Sequence, residues 1–154
     1  MTILFLSFIA DILEERKEAR SEWKNIHWKG FYDFAQKQAI IGFVFEGIKK
    51  YGDELKDIFP KEVLFQWIGD AKYIKQQNRI AFKRSAEISE FFAKKGLCTC
   101  ILKGQGNALM YENPYCRTSG DIDIWIDGLM ILFEVIVRQY LSNHITLIFL
   151  YLMI

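Results

Sequence analysis

Up to about Gly96 the apolar positions recur at helical spacing. Between Phe31 and Ile48 the residues Phe31, Phe34, Ala35, Ile41, Phe45 and Ile48 keep to one helical face and leave Lys37 and Lys49 outside. Tyr51-Gly52-Asp53 breaks the pattern. Pro60 suits the first turn of a new helix, where its missing N–H would have no partner anyway. From Val63 the apolar row runs through Trp67, Ala71, Ile74, Ala81, Ile88 and Phe92, close to a heptad and interrupted by polar Asn78. Lys94-Lys95-Gly96 then reads as a basic last turn with a glycine just past the helix end. The opening stretch MTILFLSFIADILEERK predicts an amphipathic helix running into the charged segment Glu14 to Arg20. It has no basic residue ahead of its apolar run, unlike a signal peptide, and it is too short to span a bilayer.

After Gly96 the period changes. Leu97 to Leu102 is short, apolar and partly β-branched, which predicts a buried strand. Gly104 to Tyr111 has room for one or two helical turns, and Asn113-Pro114 signals a turn. Asp121 to Asp127, D-I-D-I-W-I-D, alternates acidic and apolar residues with the period of a strand. The expectation is an α+β protein of one domain. A helical region, 1–96, packs on a strand-helix-strand core, 97–128, followed by an apolar tail, 129–154.

Composition narrows the function more than the fold. Half of the 154 residues are apolar and 16% aromatic, enough to bury a core. With 20 basic and 19 acidic residues the net charge is +1, so there is no clear nucleic-acid patch to be read from charge. Cys98, Cys100 and Cys116 are odd in number and lack the spacing of a disulfide scaffold, which fits small, buried, reduced thiols in a cytoplasmic protein. Cys98-x-Cys100 also lacks the usual zinc spacing, with no histidine near in sequence. His27 and His144 show no dyad pattern, and Trp23 and Trp28 are assigned to the core.

The chemistry gathers in Leu102–Asp127. Asp121 and Asp123 lie two apart on a predicted strand, so both carboxylates face the same way while Ile122 and Ile124 face the core. Adjacent carboxylates repel, and divalent cations resolve the conflict. A D-x-D alone is a weak sign, common at exposed strand ends. Lys103-Gly104 ends a strand and opens a helix, where free backbone N–H groups suit a phosphate. There Gly104 permits close approach, Gly106 loosens the first turn and Lys103 supplies a point charge. The plain alternative is a glycine turn with a solvated lysine. No Walker A sequence occurs. Arg117 offers its fork to phosphate oxygens or a carboxylate, and Ser119 a hydroxyl to phosphate or to the loop. Otherwise they are a surface arginine and a turn serine.

Taken together, the order L-K-G, helix, R-x-S-x-D-I-D closely resembles the uncharacterised bacterial nucleotidyltransferase family of the polymerase-β superfamily. It resembles the AbiEii-type nucleotidyltransferase toxins less closely. The shared motif covers about a sixth of the chain. The resemblance implies a polymerase-β-like core, an NTP substrate, two Mg²⁺ ions, and transfer of a nucleoside monophosphate to an acceptor hydroxyl with release of pyrophosphate. The resemblance leaves the acceptor open among protein, RNA and a small molecule. Asp121 and Asp123 are then the catalytic metal ligands. Lys103 and Gly104 fill the phosphate-binding turn that many relatives build from Gly-Ser, and Arg117 and Ser119 join them on the nucleotide.

The superfamily also needs a third carboxylate on a later strand. After Asp127 the only acidic residue is Glu134, seven residues on, which leaves little room for a crossover. The tail from residue 129 carries no formal charge besides Glu134 and Arg138. It reads as an apolar strand or helix on the core, as a membrane anchor shorter than a full span, or as the product of a reading frame lost near Gly128. The last is the expectation, and a membrane role is disfavoured. Two functions compete with an active transferase: an inactive truncated homologue that binds nucleotide or a partner, and a membrane-associated helical protein with an incidental D-x-D.

Overall fold

A computed structural model describes residues 2–118, 120–126 and 129–135, the last stretch as backbone only. The elements run α1 (Thr2–Leu13), α2 (Trp28–Lys37), α3 (Ile41–Lys50), α4 (Gly52–Leu55), α5 (Lys61–Ala93), β1 (Thr99–Leu102), α6 (Lys103–Ala108), β2 (Ile122–Ile126) and β3 (Leu129–Val135). Short 3-10 turns cover Ser21–Asn25 and Pro114–Cys116. The class is α+β. Two compact units divide the chain. One is Met1–Lys75 with Cys116–Thr118; the other comprises the described residues of Gln76–Tyr115 and Ser119–Ile154. The boundary lies inside α5.

The first unit is built around aromatic rings. Phe8 meets Trp23 edge-on at 4.7 Å and Phe31 at 5.5 Å, while Trp28 leans on Phe59 at 4.3 Å. Tyr51, Leu55 and Trp67 complete a fully buried cluster. Such rings bury the largest apolar areas of any side chains. The helix α1 departs from the expected amphipathic pattern. Its outward face carries exposed Ile3, Leu6 and Leu13, whereas Asp11 is inside. That carboxylate is tolerated because Arg20 grips it with two bonds of 2.5 Å and Arg16 stands at 3.8 Å. The Tyr51 hydroxyl donates to the Arg16 carbonyl at 2.6 Å, closing the turn beneath the pair.

The single apolar face read across Phe31–Ile48 is divided between α2 and α3. Ala39 at φ 56° makes the break, with Ile40 N–H bonded to the Ala35 carbonyl and Ala39 N–H to the Gln36 carbonyl. This is the paired-bond helix ending that normally favours glycine. The same ending closes α5, where Gly96 at φ 75° occupies the left-handed position, as the sequence predicted. His27, given no role from sequence, caps α2: its Nδ1 accepts the Gly30 N–H at 3.1 Å.

Along α5 the buried row is continuous. Val63, Trp67 and Ala71 serve the first unit; Asn78, Ala81, Ser85 and Ile88 serve the second. Asn78 therefore does not interrupt the row, since it is itself fully buried. In the second unit β1, β2 and β3 form an antiparallel sheet in that order. Ile122, Ile124 and Ile126 are fully buried and pack with Ile88, Phe92, Leu97 and Ile101. The alternation read from D-I-D-I-W-I-D holds as far as Ile126, with Trp125 on the outer face, and Asp127 lies outside the described residues. Asp121 lies one residue before β2, and β1 starts at Thr99.

Residues 129–135 continue the sheet as β3, beside β2. A crossover is needed only to bring in a parallel strand; an antiparallel neighbour follows a tight hairpin. The chain leaves little room for a crossover between Asp127 and Glu134, and β3, antiparallel to β2, needs none. The stretch 136–154 lies outside the described residues, and with it the remaining readings of the tail.

Candidate active site

In the sheet register Leu102 stands opposite Asp123. The next two residues, Lys103 and Gly104, therefore turn beside the start of the acidic strand. Lys103 enters the turn at φ 42°, a left-handed conformation uncommon for a side chain of its size. Its Nζ lies 3.7 Å from Asp123 Oδ2. The lysine is 70% exposed and Asp123 only 16%. An ion pair so open to water contributes little stability, so its interest is positional.

Gly104 has a reason in the structure beyond the one read from sequence. A Cβ there would stand 3.0 Å from the Asp121 carbonyl oxygen, and one at Gly106 would stand 2.8 Å from the Ile101 carbonyl oxygen. Both glycines let α6 lie directly on the backbone of the strands that flank it. The close approach that is observed is to the acidic strand itself. Asp121 and Asp123 sit on either side of buried Ile122 and are themselves partly exposed. Across the sheet, position 134 pairs directly with position 123.

The structure thus brings Lys103, Gly104, Asp121 and Asp123 together in the second unit. Arg117 belongs to the first unit, where it is half-buried and its Nη1 donates to the Thr118 carbonyl at 3.3 Å. Ser119 lies outside the described residues. Among the described residues no group of three or more His, Cys, Asp or Glu side chains gathers as a metal would require. Also among them, no helix is long and apolar enough to cross a membrane.

Two arrangements escaped the sequence. In the first unit the Cys116 thiol donates to Glu46 Oε1 at 3.0 Å, while Lys49 and Lys75 reach the same carboxylate at 2.6 and 2.9 Å. Burial pushes the Glu46 carboxyl up, but Cys116, Lys49 and Lys75 together pull it down to about 2. Burial and the neighbouring carboxylate push the Cys116 thiol up to about 12. In the second unit the Asn78 side chain bonds to the Tyr115 carbonyl and faces Gln105. Partners 70 or 37 residues apart leave no local pattern to read. The expectation of buried cysteines holds for Cys116 alone. Cys98 and Cys100 are exposed, the latter opposite outward-facing Trp125 on the edge strand β1.

Comparison with curated proteins and with solved structures yields no match. A model of the uncharacterised nucleotidyltransferase family matches residues 24–130, well over half of the chain. The matched stretch takes in the Lys103-Gly104 turn, Arg117 and the acidic pair. On that match, and with the turn folded against the acidic strand, the chain belongs to the uncharacterised nucleotidyltransferase family.

Proposed function

We propose that the second unit holds a polymerase-β-like site that transfers a nucleoside monophosphate from an NTP to an acceptor hydroxyl with the help of Mg²⁺. The observation that carries this reading is the register of Leu102 with Asp123, which joins the two halves of the motif. The donor set suits the metal. Asp121 and Asp123 offer hard carboxylate oxygens from one strand face. The superfamily pattern adds a third carboxylate to this pair.

On this reading Asp121 and Asp123 would hold two Mg²⁺ ions, which when bound would offset the charge of the triphosphate and favour ionisation of the attacking oxygen. Lys103 exchanges its contact with Asp123 for the phosphate oxygens, and Gly104 leaves the backbone of the turn open to them. Arg117 and Ser119 are assigned to the nucleotide as well. The acceptor oxygen forms a bond to the α-phosphorus, the bond from that phosphorus to the β-phosphate breaks, and pyrophosphate leaves. A carboxylate of the site takes the acceptor proton. Residues 97–128 and β3 form the core and residues 1–96 the helical region, at work in the reducing cytoplasm that unpaired Cys98 and Cys100 suit.

The test is incubation with each of the four α-³²P-labelled NTPs and Mg²⁺, with RNA, protein and small hydroxyl compounds offered as acceptors. Label is expected in an acceptor with the intact chain and lost in Asp121→Asn and Asp123→Asn. Binding of Mg-NTP without transfer would instead make the chain an inactive nucleotide-binding homologue. Neither binding nor transfer would end the reading.

A further inference from the structure

Three contacts fix α6 in the second unit, and only two are explained by chain packing. Gly104 lies on the Asp121 carbonyl and Gly106 on the Ile101 carbonyl. Between them Gln105 is 2% exposed, a burial unusual for an uncompensated amide. Its Nε2 reaches Asn78 Oδ1 at 3.5 Å, the outer limit of a hydrogen bond, and its Oε1 has no hydrogen-bond partner among the described residues. Asn78 is 0% exposed, and its Nδ2 donates to the Tyr115 carbonyl at 2.9 Å. Tyr115 is further held by the edge of Phe82 at 5.6 Å and by Arg79 over its ring at 5.8 Å. Asn78 therefore grips both ends of the segment from Gln105 to Tyr115.

Stability alone does not account for this pair. A buried amide with an unpaired oxygen is worse for folding than an apolar side chain of the same shape. What a polar pair adds is specification of one position among several that an apolar contact would allow. The position it specifies is that of the residue next to Gly104, on the turn whose Lys103 faces Asp123.

We propose that Gln105, held by Asn78, is a positioning residue for nucleotide: it sets the Lys103-Gly104 turn against the acidic strand so that the turn is formed before the triphosphate arrives. The inference rests on the nucleotidyl-transfer reading and assigns a role to two residues outside its motif. A preformed turn spares the bound nucleotide the ordering of that backbone, so loss of the pair weakens nucleotide binding more than turnover.

Gln105→Met keeps the length and volume of the side chain and removes both amide atoms. The test is titration of the full-length protein with each NTP in the presence of Mg²⁺, with melting temperature and the split between KM and kcat measured alongside. Gln105→Met is expected to melt at or above the wild-type temperature. Its Kd and KM for Mg-NTP should rise roughly tenfold, the low end of what supporting residues around a site contribute, with kcat changed less. Asn78→Leu should weaken nucleotide binding in the same direction, and the double variant should lose no more than the larger single loss. Wild-type nucleotide affinity in folded Gln105→Met overturns the proposal. So does a large drop in its melting temperature, which would assign the pair to stability. If the wild-type chain binds no Mg-NTP, the nucleotidyl-transfer reading itself fails, and the failure shows in the parent protein rather than in the variant.

Discussion

The two units bury different things. The first packs rings on rings, with Phe8, Trp23, Phe31, Tyr51 and Trp67 almost without exposure, and it neutralises the acids that come close: Asp11 by Arg20 and Glu46 by two lysines and a thiol. The second closes a smaller core with Ile88 and the three isoleucines of β2. It leaves Asp121 and Asp123 partly exposed, and among the described residues one lysine pairs with them, at 3.7 Å from Asp123. It also buries two amides, Asn78 and Gln105. Carboxylates satisfied by fixed partners are structural. On the proposed reading, carboxylates left to an exposed lysine stay able to accept another cation, and that contrast separates the scaffold from the chemistry.

The contrast has consequences of graded size. Trp67→Ala opens a ring-sized cavity in the first unit and should cost about 3–5 kcal/mol, whereas Ile124→Val trims one methyl from the sheet and should cost about 0.5–1.5 kcal/mol. Chemical denaturation of both variants measures the difference, and equal losses would erase the distinction between the cores. Next in size is a response to acid. The Glu46 carboxyl titrates at about 2 in the folded protein against an ordinary value of 4.5. Its contribution to stability is therefore complete above pH ~4.5 and is lost as pH falls from there toward ~2. Glu46→Gln should flatten that part of the stability-against-pH curve, and an unchanged curve would show that the network does not hold the carboxylate. The smallest effect is one of reactivity. Cys98 and Cys100, exposed in the second unit, should react with a thiol reagent at neutral pH within the mixing time of an ordinary assay. Cys116, buried and held as the thiol, should react only on unfolding. Fast labelling of all three would place Cys116 outside its pocket.

How much of this was legible in the chain depends on how local the signal is. The period of D-I-D-I-W-I-D gave β2 and its faces because alternation is a property of neighbouring residues. Gly96 announced the end of α5 for the same reason. Ala39 did not announce the end of α2, since alanine rarely adopts the left-handed turn it makes here. Asn78 looked like a flaw in an apolar row, because its partners, Gln105 and the Tyr115 carbonyl, lie far along the chain. Residue spacing alone does not show β3, because a crossover is needed only for a parallel neighbour and the sheet is antiparallel, with position 134 opposite position 123. Within the candidate site, Lys103, Gly104, Asp121 and Asp123 could be chosen from the motif. Their support by Gln105 and Asn78 could not.

On the proposed reading Asp121 and Asp123 hold the metal that brings an NTP to the Lys103-Gly104 turn. Titration of NTP into the wild-type protein and into Asp123→Asn, with and without Mg²⁺, tests it most directly. A metal supplies several kcal/mol to such a site, and each 1.4 kcal/mol is tenfold in affinity. The account therefore predicts Mg²⁺-dependent binding in the wild type that weakens at least about a hundredfold in Asp123→Asn, while the melting temperature holds. Nucleotide binding that ignores both Mg²⁺ and the substitution would contradict it.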